Sequence, residues 1–479
     1  MSSLKEKTVK GVAWSAIDRF SAQGIQFVFN ILIARILLPE DYGLIAMLNI
    51  FLDVSRAFID SGFANALIRK TDRTEVDYCT VFYFNLTISL FFYALLWFAA
   101  PVIARFYDIP LLSKVTRIVS LSLVIGALGS IQSTRLVIKV DFKTRSVIHI
   151  LSTVVIGGIG LWLAVKGYGV WALVAQSVVG NLFRTFLYWI IVKWRPRLIF
   201  SWKSLKEMFS FGSKLLLTGL TDTVYGNLYS ILIGKIFEPA SLGKYNRAES
   251  FASFPSSNLF GIVNSVSYPI LCSVQQDRVM LKDAFRKIIN VCSFVVFPAM
   301  IGLAAVSEPF VKLILTEKWI EIVPLLRILC VSFVFYPLSA YNITFPNVVG
   351  KSGTYFKLSI INKCVDVPIL IAMVPLGLKW ICFGKVVSTL INLFINTVQT
   401  KRIISWGFFS QIKDIAHIIA HSAIMGIVVT LVMSLFDSDV LKLTMGILSG
   451  SLYYCVAAIV FRFKEFVYLK DYIDSRRQK

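Results

Sequence analysis

Charged residues are scarce in this sequence, at 16% of 479 residues, whereas 57% of the residues are hydrophobic. Soluble domains have about 25% charged and about 45–50% apolar residues, so this composition excludes a soluble globular protein. The chain is also too apolar for a disordered protein and too poor in charge for a coiled coil. Most of it is therefore expected to lie in a lipid bilayer.

Acidic residues are the rarer charge, since 27 Asp and Glu stand against 49 Lys and Arg and leave a net charge of +22. Such an excess is typical of nucleic-acid binding, but the apolar composition argues against it, and we expect no nucleic-acid partner. With the N-terminus inside, about 31 of the 49 basic residues fall in cytoplasmic loops. The excess therefore indicates topology, with both termini cytoplasmic.

Metal-binding and catalytic motifs are missing. The seven cysteines are isolated, and although His417 and His421 share a helical face, Ile418 stands where a zinc protease needs glutamate. Residues 350–352 (Gly-Lys-Ser) look like the end of a phosphate-binding loop, but Phe345 replaces its upstream glycine. The polar loops are too short for a soluble catalytic domain. We expect no metal, no cofactor and no enzyme.

Apolar runs long enough to cross a bilayer recur about fourteen times along the chain. None alternates polar with apolar residues as barrel strands do, so they predict helices. The runs centre on residues 12–34, 43–62, 80–103, 115–134, 147–165, 168–192, 212–234, 248–270, 288–307, 323–346, 358–377, 380–400, 416–436 and 443–461. The predicted fold class is an all-α polytopic membrane protein.

An internal repeat divides the chain. Residues 31–43 read ILIARILLPEDYG and residues 231–243 read ILIGKIFEPASLG, each with a cation before a Pro-x-x-x-Gly motif. Six spans separate the copies, so both run in the same direction, which predicts two parallel six-helix lobes. The predicted division is 1–200 (helices 1–6), 201–402 (helices 7–12) and 403–479 (two further helices and a basic cytoplasmic tail).

Polar side chains within the spans lie on single helical faces, although a charged one costs about 2.5–3.5 kcal/mol at the centre of a membrane helix. The stripes are Ser15, Arg19, Gln23, Gln26 and Asn30; Asn49, Asp53, Arg56 and Asp60; Thr218, Asp222, Tyr225 and Tyr229; Arg247, Glu249, Ser250, Ser253 and Ser257; Asn362 and Asp366; and Lys385, Thr389, Asn392 and Asn396. They predict a shared water-filled cavity between the lobes. Alternatively, Asp53, Arg56 and Asp60 neutralise one another as structural pairs.

Several segments carry a family resemblance. Residues 11–19 (GVAWSAIDR), 33–43 (IARILLPEDYG), 60–63 (DSGF), 66–70 (ALIRK) and 100–107 (APVIARFY) resemble Wzx-type polysaccharide flippases of the colanic-acid-exporter kind. These flippases form the polysaccharide-transporter branch of the multidrug/oligosaccharidyl-lipid/polysaccharide exporter superfamily. The resemblance implies fourteen helices in two lobes around a central cavity. It also implies a substrate, undecaprenyl-pyrophosphate-linked oligosaccharide, moved to the periplasmic leaflet of a bacterial inner membrane.

That substrate assigns roles to the polar stripes. Cations suit the pyrophosphate, amides and hydroxyls suit the sugars, and carboxylates suit a coupling ion or charge pairing. The candidate substrate-binding residues are Arg19, Gln23, Gln26, Asn30, Arg56, Tyr225, Arg247, Lys385, Asn392 and Asn396. The candidate coupling or charge-pairing residues are Asp18, Asp53, Asp60, Asp222, Glu249 and Asp366. The expected partners are the lipid-linked substrate, H⁺ or Na⁺, membrane lipid and a polysaccharide polymerase, and we expect a monomer.

Two other functions remain open on sequence alone. A multidrug antiporter of the same superfamily would favour an acidic, aromatic cavity for cationic drugs, whereas the charges within these spans balance. A membrane-embedded glycan polymerase or ligase would need a large external loop, and the external loops are short. A lipid scramblase is not distinguished by residue spacing.

Overall fold

The computed structural model describes residues 21–60 and 62–467, without the side chains of residues 210, 211, 214, 215 and 218. Across these ranges the secondary structure is helical and contains no strand, which confirms the predicted all-α fold class. Eleven segments of the described chain are long and apolar enough to cross a membrane. The expected count of fourteen is not confirmed: residues 202–273 are largely helical, yet none of their helices is among the eleven.

The chain divides into two compact units, residues 1–243 and 244–479. In the first unit, helix α1 occupies 21–36. It is followed by α2 (Pro39–Asp60), α3 (Phe63–Arg69), α4 (Glu75–Tyr107), α5 (Leu111–Val119), α6 (Leu121–Ile138), α7 (Phe142–Val165), α8 (Val170–Ile191), α9 (Trp202–Gly226), α10 (Leu228–Ile236) and the start of α11 (Pro239–Ser273). The lobe boundaries at 200 and 402 stay a prediction.

The second unit contains the rest of α11 and eight further α-helices within its described part. These are α12 (Arg278–Ala305), α13 (Ser307–Ile314), α14 (Ile322–Val334), α15 (Tyr336–Val348), α16 (Ser352–Met373), α17 (Leu378–Ile404), α18 (Phe408–Met433) and α19 (Asp439–Val460). Short 3₁₀ turns precede α14 and follow α16. Its interior includes the fully buried side chains of Phe285, Trp319 and Tyr341.

Polar caps set where several apolar helices begin. The Thr74 hydroxyl accepts from the Asp77 amide, and the Asp77 carboxylate accepts from the Thr74 amide at 2.8 Å, which is a capping box at the start of α4. The Asp141 carboxylate caps α7 by accepting from the Thr144 amide at 3.1 Å. These caps satisfy amides that lipid could not, and they fix the depth at which each helix starts.

Small residues bring α6, α7 and α8 close together. A Cβ added at Gly160 would lie 2.5 Å from Gln176 Cδ, and one added at Gly180 would lie 2.4 Å from Ile156 Cγ1. At Gly129 it would lie 3.0 Å from Thr185 Oγ1. Helices in membranes pack through such positions because lipid supplies no hydrophobic drive between them. The tight packing fixes the three helices that carry the polar residues described below.

The two copies of the repeat meet inside the first unit. A Cβ added at Gly43 would lie 1.8 Å from the Pro239 carbonyl oxygen, and one added at Gly243 would lie 1.9 Å from the Pro39 carbonyl oxygen. The contact is reciprocal, so each Pro-x-x-x-Gly motif presents its glycine to the proline of the other. Backbone touches backbone at the first turns of α2 and α11, and only glycine fits either position.

Candidate functional site

The structure describes some of the predicted site residues of the first unit and not others. Asp18 and Arg19 lie outside the described residues. On α1, Gln23 and Gln26 are exposed and Asn30 is partly exposed. On α9, Asp222 is exposed and Tyr225 is partly buried. The substrate roles of these residues stay predictions.

Arg56 and Asp53 pair on α2. Arg56 Nη1 lies 3.0 Å from Asp53 Oδ1, and both side chains keep a third or more of their surface exposed. Asp53 Oδ2 also accepts from Asn227 Nδ2 at 3.3 Å, so the carboxylate connects α2 to the end of α9. This ion pair is the contact expected if Asp53 and Arg56 neutralise each other. Arg56 also borders a cavity, described next.

A cavity of about 440 Å³ lies among α2, α6, α7 and α8 of the first unit. We call it the cationic pocket because its lining holds three arginines and a histidine against one carboxylate. Its polar lining residues are Arg56, Asp60, Ser122, Ser130, Ser133, Arg145, His149, Asn181, Arg184, Thr185 and Tyr188. Of the sequence-predicted residues, the pocket brings together Arg56 and Asp60.

Arg184 is the most distinctive cation in the pocket. It lies within the apolar helix α8, in its C-terminal half, and its Nε is closed off from solvent without a hydrogen-bond partner among the described residues. A buried guanidinium nitrogen that donates to nothing loses hydration without compensation. Arg184 also lines the pocket, where a charge-assisted hydrogen bond from its guanidinium to an anionic ligand would offset part of that cost.

The walls of the pocket are held by hydrogen bonds between α6 and α8. Thr185 Oγ1 donates to the Ile125 carbonyl at 2.9 Å, and the Tyr188 hydroxyl donates to Ser133 Oγ at 3.3 Å. Thr185 and Tyr188 follow Arg184 by one and four residues, so these bonds anchor to α6 the part of α8 that carries the arginine. The guanidinium is therefore held on a rigid helix rather than on a loop.

Sequence reasoning missed Arg145, His149, Asn181 and Arg184. Arg145 precedes the predicted span at 147–165, but the Asp141 cap starts α7 early enough to place this arginine in the first turn of the helix. Asn181 and Arg184 are three apart in a single apolar span, which is the only sequence signal they give. Two polar residues are too few to form a stripe along the helix.

The second unit has its own polar cluster around Lys385. Lys385 forms an ion pair with Glu249, and its Nζ lies 3.4 Å from the Tyr245 hydroxyl. The same ammonium lies 5.3 Å from the centre of the Phe333 ring. Lys385 and Glu249, predicted to serve substrate and ion respectively, are therefore brought together across α11 and α17.

The other predicted residues of the second unit lie in helix packing. Asn392 Nδ2 donates to Asp366 Oδ1 at 2.7 Å, and Asn396 Nδ2 donates to Ser339 Oγ at 3.2 Å. Both asparagines are buried, and each has an Oδ1 with no hydrogen-bond partner in the described chain. Arg247 lies over Trp319, with Cζ 5.7 Å from the ring centre. Their binding and coupling roles stay predictions.

We expect the Lys385–Glu249 pair to behave as a unit. Lys385→Met or Glu249→Gln alone leaves a partly buried charge without its partner and should cost about 1–3 kcal/mol of unfolding free energy. The double variant removes both charges and should recover most of that loss. Thermal unfolding of the purified protein in detergent measures this cycle. Additive losses in the double variant would contradict the coupling.

Comparison with known proteins agrees with this architecture. The succinoglycan biosynthesis transport protein ExoT of Rhizobium meliloti (strain 1021) is 24% identical over 475 residues, covering 96% of this chain and 94% of ExoT. The lipopolysaccharide biosynthesis protein WzxC of Escherichia coli (strain K12) is 27% identical over 335 residues, covering 69% of this chain and 67% of WzxC. A transport protein among the relatives agrees with the prediction that the chain is not an enzyme.

The fold matches a solved flippase structure. The lipid II flippase MurJ, in an inward closed conformation, aligns with a TM-score of 0.76 at 18% identity, covering 94% of this chain and 99% of that chain. The family described as "Polysaccharide biosynthesis protein" matches residues 32–324. The resemblance to Wzx-type flippases is thus confirmed, and the chain belongs to this polysaccharide biosynthesis family.

Proposed function

We propose that this protein flips undecaprenyl-pyrophosphate-linked oligosaccharide from the cytoplasmic to the periplasmic leaflet of a bacterial inner membrane, for surface polysaccharide biosynthesis. The family and the flippase fold support a transporter of this class. The distribution of basic residues supports an orientation with both termini in the cytoplasm. Transport proceeds by alternating access, as in other transporters built from repeats.

The observation that carries the proposal is the cationic pocket. Its lining holds three arginines against one carboxylate, and although Arg56 also pairs with Asp53, the remaining positive excess suits the negative charge of a lipid pyrophosphate. Arginine suits this ligand because its planar fork meets phosphate oxygens in pairs. A bare pyrophosphate would pay a prohibitive desolvation cost in the bilayer, and the pocket offsets it.

The size of the cationic pocket suggests which part of the substrate it holds. About 440 Å³ is within the range of small-molecule sites and accommodates a pyrophosphate with its first sugar, but not a whole oligosaccharide. Asn181 lines the pocket with its amide, and Gln23 and Gln26 present exposed amides on α1. These groups are assigned to sugar hydroxyls. The polyprenyl tail stays in lipid.

Energy for the cycle is assigned to an ion gradient. No ATP-binding loop occurs in the sequence, so H⁺ or Na⁺ is the natural driving ion. In the second unit, Glu249 is paired with Lys385 and Asp366 with Asn392. A proton or sodium ion at either carboxylate would change the charge balance of these contacts. That change supplies the differential interaction that a conformational shift requires.

The positive charge of the cationic pocket argues against a multidrug antiporter. Cationic drugs need carboxylates and aromatic faces, whereas the cationic pocket offers them three arginines and one aspartate. Protonated drugs would be repelled from this site. The proposal therefore places the protein among carriers of anionic lipid-linked sugars.

Reconstitution tests the proposal directly. Proteoliposomes with the purified chain receive fluorescent lipid-linked oligosaccharide in one leaflet, and accessibility to a membrane-impermeant quencher reports flipping. We expect transfer to accelerate under an imposed proton or sodium gradient and to fail with a drug cation as cargo. Transfer at the rate of empty liposomes would contradict the proposal.

A further inference from the structure

We propose that the first unit binds the phosphate head group of an anionic phospholipid in a second cavity, separate from the cationic pocket. This cavity has a volume of about 710 Å³ and lies where α4 and α7 begin and α6 and α8 end. We call it the basic cavity. The two cavities share no lining residue, so the inference goes beyond the proposed transport function.

The carboxylates of the basic cavity are already engaged. Glu75 accepts from Arg135 Nη1 at 3.1 Å and from Trp194 Nε1 at 2.7 Å. Asp141 caps the first turn of α7. Neither acid is therefore placed to neutralise the remaining cations, and the cavity keeps a positive potential.

Three cations of the basic cavity are available to a ligand. Lys139, Lys193 and Arg197 line it, are exposed, and form no ion pair within the described residues. Arg195 is held differently, since its guanidinium donates to the Val192 and Trp194 carbonyls at 3.1 and 2.9 Å. Three cations lining one cavity at the ends of four apolar helices are suited to a phosphate head group.

Exposed apolar side chains next to the cavity identify the ligand as a lipid rather than a soluble anion. Leu198, directly after Arg197, is 94% exposed, and Trp202 is 76% exposed. The Phe200 and Trp202 rings contact each other with centroids 5.3 Å apart. Tryptophan side chains are enriched at the bilayer interface, and an exposed leucine beside them is suited to contact with lipid. An acyl chain can lie along them while its phosphate occupies the cavity.

Charge removal tests the site. Purified full-length protein in detergent is titrated calorimetrically with short-chain phosphatidylglycerol, phosphatidylcholine or glycerol phosphate. We expect phosphatidylglycerol to bind most tightly, and the triple variant Lys139→Gln, Lys193→Gln, Arg197→Gln to lose about a hundredfold in affinity. The matched control replaces Arg105, Lys114 and Lys166 by Gln, because these exposed cations lie near the opposite ends of α4 and α7.

Three results would overturn the inference. One is equal affinity for phosphatidylglycerol in the triple variant and in the control. Another is binding of phosphatidylcholine as tight as that of phosphatidylglycerol, since the cations would then contribute nothing. The third is binding of glycerol phosphate as tight as that of the lipid, which would assign the cavity to a soluble anion. Unfolding temperatures of both variants, measured in parallel, verify that each is folded.

Discussion

Replacing Gly43 or Gly243 by alanine is expected to prevent the first unit from folding correctly. The new Cβ would lie 1.8 or 1.9 Å from a proline carbonyl oxygen of the facing repeat. Overpacking ordinarily costs about 1–3 kcal/mol, occasionally more. Here the obstacle is backbone on both sides and no rotamer relieves it, so we expect a loss of at least about 3 kcal/mol.

The glycine prediction has a matched control in α7. Gly158 is also helical, but a Cβ there would meet nothing within 4 Å. Gly158→Ala should therefore be neutral or stabilise by up to about 1 kcal/mol, because alanine loses less backbone freedom on folding. Yield of monodisperse protein and its thermal unfolding in detergent measure all three variants. Wild-type stability in Gly43→Ala or Gly243→Ala would show that the repeats do not cross as described.

Replacing Arg184 or Arg145 by glutamine is expected to slow flipping about 10- to 100-fold each. That range corresponds to losing one charge-assisted hydrogen bond of about 1.5–3 kcal/mol to the pyrophosphate. The effect should be larger for Arg184, because it lies further inside its apolar helix than Arg145, which is in the first turn of α7. The measurement is the initial rate in the proteoliposome flipping assay.

Two further variants separate binding from structure. Arg184→Lys keeps the charge but loses the planar fork, so it should flip at an intermediate rate. Lys114→Gln removes an exposed cation of the first unit away from the pocket and should flip at the wild-type rate. An Arg184→Gln protein that flips as fast as wild type would contradict the assignment.

The helical architecture could be predicted from composition because lipid leaves few alternatives. Long apolar runs must form helices there, and the even number of runs between the two Pro-x-x-x-Gly motifs predicts parallel halves. The reciprocal contact of Gly43 with Pro239 and Gly243 with Pro39 could not be predicted, because a repeat specifies similarity and not adjacency. The predicted spans at 212–234 and 248–270 have no counterpart among the eleven apolar segments of the described chain.

The candidate site was predictable only where charges repeat along one helix. Arg56 and Asp60 belong to such a stripe, and both border the cationic pocket. Arg184 sits in its span beside a single amide, and Arg145 lies near a helix start whose position depends on the Asp141 cap. Bringing α2, α7 and α8 together requires tertiary packing, which periodicity does not specify. Asn392 also belongs to a polar stripe along one helix, but it donates a hydrogen bond to Asp366 within the helix packing.

The most direct test of the central claim compares two ligands on two proteins. The affinity of the wild-type protein is measured for the same lipid-linked oligosaccharide carrying either a pyrophosphate or a single phosphate, and then for Arg184→Gln. We predict that wild type prefers the pyrophosphate by about tenfold or more, and that Arg184→Gln loses most of this preference. An unchanged preference in the variant would contradict the account.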